Sequence, residues 1–100
     1  MKLTKHTLFY HIYNFGTRNE RELRERGDEH GASEINLARI TLHLALLDGV
    51  EEVIERLKQM TEYETNEYGT CFYNIHYFVQ DDYTRYLLNN LKKMIEEMTK

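Results

Sequence analysis

The chain has no proline, no tryptophan, one cysteine and five glycines among its 100 residues. With Cys71 alone, a disulfide within the chain is excluded. No apolar run reaches the roughly 18 residues that a membrane-spanning helix needs. Basic charge is not in excess either. Lysine and arginine number 13 against 17 aspartates and glutamates, a net charge of -4 with neutral histidines. Nonspecific nucleic-acid binding needs clustered cations that displace counterions, and this balance argues against it. The most basic stretch, Arg18 to Arg26, is interleaved with Glu20, Glu22 and Glu25. It reads as a self-compensated, solvated face. There is no glycine-rich phosphate loop, no HExxH and no CxxC, and neither end carries a lipidation motif. Lys2 and Lys5 are not followed by an apolar core and a small-residue cleavage site, so the expected location is cytoplasmic.

What is present is globular composition: 41% hydrophobic, 12% aromatic and 30% charged residues. The length suits one domain over 1–100 with one modest core. Two segments read as amphipathic helices. Over 49–62, Val50, Val53, Ile54, Leu57 and Met60 form one stripe, and Asp48 with Glu51 suggests a capping box. Over 83–98, Leu87, Leu88, Leu91, Met94, Ile95 and Met98 do the same behind Asp81 and Asp82.

Two other segments resemble each other. Thr7 to Phe15 reads TLFYHIYNF and Thr70 to Phe78 reads TCFYNIHYF, with five of nine positions identical. Aromatic and β-branched residues favour strands, and Gly16 and Gly69 suit turns beside them. Between lies INLARITLHLALL, residues 35–47. As a helix it is apolar nearly all round, with Leu37, Ile40, Leu44 and Leu47 on one side and Ile35, Leu42 and Leu46 on another. From Arg39 it also alternates cleanly, and the alternation favours strand. Residues 17–31 hold one large apolar residue, Leu23, and read as a charged loop or a short helix capped at Asn19. Within it, Arg26-Gly27-Asp28 reads as a glycine turn.

The expected fold is therefore α+β: a small two-layer sandwich with strands near 7–15, 38–46 and 70–79 and two amphipathic helices on one face. Its core side takes Leu8, Tyr10, Ile12 and Asn14, then Ile40, Leu42, Leu44 and Leu46, then the odd positions from Cys71 to Val79, with Leu57 and Leu91 from the helices.

The other sheet face is the candidate site. Alternation places on it Phe9, His11, Tyr13 and Phe15, then Arg39, Thr41 and His43, then Phe72, Asn74, His76 and Phe78. Aromatic rings with an arginine are the residue types enriched in binding hot spots. Of these, Phe9, His11, Tyr13, Arg39, His43, Phe72, Asn74 and His76 form the expected binding set. Covered by residues 17–31 or by the chain termini, this face would be second-side core; two such faces pairing would make a homodimer, and otherwise it would meet a different protein or a small ligand. Three imidazoles could hold zinc, and two could act as acid and base. The spacing is no metal motif, however, and one arginine is no phosphate cradle, so no catalytic residue, metal or cofactor is assigned. Arg24 and His30 share an Arg-x5-His spacing found in some helical nucleases, which in a charge-rich stretch carries little weight.

The expectation is a small, non-enzymatic, cytoplasmic protein that regulates or inhibits another protein, of the kind a phage directs at a host protein. It would have a protein partner, form a homo-oligomer and bind neither nucleic acid nor membrane. The alternatives are a protein that sequesters a small ligand or nucleotide and a minimal histidine-dependent hydrolase.

Overall fold

Thr4 opens the first element. Its hydroxyl accepts from the Thr7 N–H and the Thr7 hydroxyl accepts from the Thr4 N–H, each at 3.1 Å, a reciprocal capping box. In the computed structural model, which describes residues 3–62 and 82–99, this cap starts α1, Lys5–Glu25. It is followed by α2 (Glu29–Leu46), α3 (Val50–Glu62) and α4 (Asp82–Met98). Among the described residues there is no strand.

The α+β sandwich is thus overturned. Residues 7–15 lie inside α1 and 38–46 inside α2, while the third expected strand, 70–79, lies outside the described residues. Gly16 is not a turn but a mid-helix residue. Asn19 caps nothing; its side-chain amide donates to the Phe15 carbonyl at 2.9 Å inside α1. The charged stretch is mostly helix because α1 simply continues through it.

The turn at 26–28 does form. The Asp28 N–H donates to the Leu23 carbonyl at 2.8 Å and the Gly27 N–H to that of Arg24 at 3.0 Å. That pair of bonds is a Schellman ending, and it needs the left-handed φ of +83° that Gly27 adopts. Asp28 then caps α2, its carboxylate accepting from the Gly31 N–H at 2.9 Å. At the next connection Gly49, with φ +126°, stands immediately before α3, and its carbonyl accepts from Val53. It holds the place the sequence suggested for Asp48.

The two later stripes are buried as their spacing requires. Val53, Leu57 and Met60 of α3 and Leu88, Leu91 and Ile95 of α4 are core. Helix α2 packs against α1, α3 and α4. Its inward residues are Ile35, Ala38, Leu42, Ala45 and Leu46, met by Leu8, Ile12 and Leu23 of α1. Each fully buried leucine or isoleucine contributes about 1.5–3 kcal/mol. Four expected core residues are not core: Tyr10 and Asn14 on α1 and Ile40 and Leu44 on α2 are exposed. Strand alternation put them beside Leu8, Ile12, Leu42 and Leu46, whereas a turn of 3.6 residues swings every second position to the far side. No described helix is long and apolar enough to cross a membrane.

Candidate protein-binding face

Helix α2 turns one apolar side inward and leaves another uncovered. Leu37, Ile40, Leu44 and Leu47 form a continuous exposed stripe. Their spacing of 3, 4 and 3 residues is that of a coiled-coil seam, in which such side chains insert into a facing helix. On α1, Phe9, Tyr10 and Tyr13 are exposed as well, and the seven residues are between 42% and 75% exposed.

The seam between α1 and α2 joins the two sets. The His43 ring stacks on Phe9 with centroids 4.2 Å apart and planes 8° from parallel. The ring's Nε2 lies 3.3 Å from the Phe9 carbonyl oxygen, which can only accept, so Nε2 carries the proton. Burial pushes the imidazole below its ordinary pKa; Arg39 acts in the same direction and the Phe9 carbonyl opposes. Edge-on contacts run from Phe9 to Tyr10 at 5.7 Å and from Tyr10 to His6 at 5.1 Å.

Arg39 is the one fixed charge on α2 between Asn36 and Leu47. Its stem lies against Gly16, where an added Cβ would come within 2.4 Å of Arg39 Cδ. The glycine therefore sets how closely α1 and α2 approach. Arg39 Nη2 donates to Asn36 Oδ1 at 2.5 Å, while its Nε is buried without a hydrogen bond among the described residues.

Of the sequence-derived set, Phe9, Tyr13, Arg39 and His43 are brought together along this seam. His11 is not. Two positions along a helix from Phe9 is more than half a turn, and His11 faces a cleft of about 500 Å³ towards α4, with Phe15, Arg18, Leu91 and Met94. The expected single face holding both His11 and His43 therefore does not exist. Phe72, Asn74 and His76 lie outside the described residues. What sequence reasoning missed is the exposed stripe and Tyr10: the strand reading sent Ile40, Leu44 and Tyr10 into the core and left Leu37 and Leu47 outside the strand. The signal was present in the 37, 40, 44, 47 spacing of the helical alternative.

Arg24 and His30 flank the α1–α2 turn, and both are engaged there. Arg24 pairs with Glu20 at 3.0 Å and with Glu29, and His30 Nε2 lies 3.8 Å from Glu34. Across the same turn, the Arg26 guanidinium sits 4.8 Å from the Tyr83 ring centroid, tying it to the start of α4. Among the described residues no group of three or more histidines, cysteines or acids is placed to hold a metal ion.

No protein-family model matches the chain, and neither a curated protein nor a solved structure is found to be similar to it.

Proposed function

We propose that the protein acts by binding a protein chain through the α1–α2 face, as a regulator or inhibitor rather than an enzyme. One observation carries this reading: seven large apolar side chains stand exposed on one helical hairpin. Soluble monomers rarely leave a continuous apolar surface of this extent without a use for it. The stripe on α2 has helix-docking spacing, and the tyrosines beside it combine a large apolar area with a polar tip. A lone thiol suits a cytoplasmic site of action. The test is a photo-crosslinking residue placed at Leu44 in the producing cell. A discrete covalent adduct with a protein is expected from that position and not from Lys58, exposed on α3. If position 44 forms no adduct, the reading fails.

A second reading follows from the cleft between α1 and α4, whose volume falls in the range of small-ligand sites. Its mixture of His11, Arg18, Phe15 and Met94 would suit a planar anionic metabolite. Melting shifts across a nucleotide and metabolite set, lost on Arg18→Ala, would favour it over protein binding.

A further inference from the structure

We infer that the occupant of the α1–α2 face is a second copy of this chain, docked about a two-fold axis that passes between Ile40 and Leu44. The inference rests on the reading that this face binds a protein, and names the partner.

Three observations converge on it. The first is the seam itself. Leu37, Ile40, Leu44 and Leu47 sit at the two central positions of successive heptads, so the surface that best fits them is another helix with the same spacing. The chain presents such a stripe on α2. A helix that is apolar nearly all round is normally covered all round, and α1, α3 and α4 cover only part of α2.

The second is charge. Residues flanking a helical seam choose between partners through attraction and repulsion. Here the flanking positions are Asn36, Thr41, His43 and Asp48, and only Asp48, beyond the last residue of the stripe, has a fixed charge. Arg39 is turned back against Gly16. Two chains of net charge -4 repel at long range, yet the two-fold axis puts the Asp48 of each copy at opposite ends of the seam, so no like charges meet along this stripe.

The third is area. With roughly 100 Å² from each exposed side chain, the face offers on the order of 700 Å², close to the ~800 Å² that one partner contributes to a standard interface. Two hairpins joined in this way form a four-helix arrangement, with α2 against α2 at the centre and Phe9 and Tyr13 closing its edge. Two-fold pairing of identical patches is also the commonest way in which soluble chains associate.

The experiment is sedimentation of the full chain from micromolar to submillimolar concentration, beside Leu44→Asp/Leu47→Asp and a Lys93→Ala control on α4. The expected result is twice the chain mass for the wild type and the control. The double aspartate variant should dissociate at least roughly a hundredfold more easily, because it brings carboxylates into a dry seam. Both positions are exposed within one chain, so its helical circular dichroism should persist. The purified protein carrying the photo-crosslinking residue at 44 should link to itself. A dimer that survives the double substitution overturns the inference, because another surface then holds it. A monomer at every concentration also overturns it. If position 44 nevertheless links to a different protein in the cell, the protein-binding reading stands with another partner; if it links to nothing, both fall.

Discussion

At Gly16 two effects oppose each other. Alanine is better than glycine inside a helix by about 1 kcal/mol. Its Cβ, however, would meet Arg39 Cδ at 2.4 Å and Arg39 Cβ at 3.0 Å, and the latter is held by the α2 backbone. Overpacking of this kind costs about 1–3 kcal/mol, so Gly16→Ala should be destabilising on balance. Arg39→Ala removes the closer of the two contacts. Urea unfolding of both single variants and the double variant should then show a coupling that recovers at least half of the loss. Strict additivity would mean that the close approach is unimportant. His43 yields a pH dependence. Burial holds its folded-state pKa below the unfolded value of about 6.5, so the unfolded chain takes up the proton first. This residue therefore imposes no penalty above about pH 6.5 and lowers stability as the pH falls below it. His43→Gln should flatten that part of the stability profile. Parallel wild-type and variant profiles between pH 7 and pH 5 would contradict the assignment.

At the scale of the element, helix ends decide how the charged stretch 17–31 is divided. Composition alone makes it poor material for burial, since Leu23 is its one large apolar residue. It folds because α1 is nucleated upstream at Thr4 and is closed downstream by the Gly27 ending. Asp28 then belongs to both sides of the turn, donating its N–H to Leu23 and accepting from Gly31. Asp28→Ala should cost about 1 kcal/mol, and Asp28→Asn should retain most of that, because an amide oxygen can cap as well. Denaturant midpoints of the three proteins check this. Equal losses in both variants would assign the effect to charge rather than to the cap. Arg24 bridges the same turn through Glu20 and Glu29, but exposed pairs contribute little, so Arg24→Ala should matter less than Asp28→Ala.

For the whole molecule, the informative comparison lies two residues apart on α2. Leu42 is buried and Leu44 is exposed. Leu42→Ala should cost about 2–5 kcal/mol, as truncation of a buried leucine does. Leu44→Ala should cost less than about 1 kcal/mol in a dilute sample where chains do not associate. A strand would place both side chains on the same side and make the two losses alike. Thermal melting of the pair therefore distinguishes the two arrangements without a structure. At high concentration Leu44→Ala should instead lose stability by weakening association, whereas the Leu42→Ala loss should persist at every concentration.

Part of this was legible from the residues alone. The helices at 49–62 and 83–98 follow from stripes with a polar opposite side, because a helix lying at a surface must carry its burial pattern in its own sequence. The glycine turn at 26–28 was legible for the same local reason. So was the outward placement of Phe9 and Tyr13, though it was reached through the wrong backbone. The state of 7–15 and 35–47 was not. Over nine residues, aromatic and β-branched side chains favour a strand on propensity alone, and neither Thr4 nor the continuation past Gly16 enters that count. A helix that is apolar all round shows no helical face, so the short alternation from Arg39 to Leu46 was left as the strongest periodic signal. Which apolar side of α2 is core is not a property of α2. It is decided by where α1, α3 and α4 dock, since burial depends on neighbours that are distant along the chain. The same docking carries His11 to one side of α1 and sets His43 against Phe9 on the other. The sequence by itself thus determined the amphipathic helices, the turn and the kinds of side chain available for binding. Only the packing of the helices decided which of those side chains share a surface, and it left the Leu37–Leu47 stripe in the open.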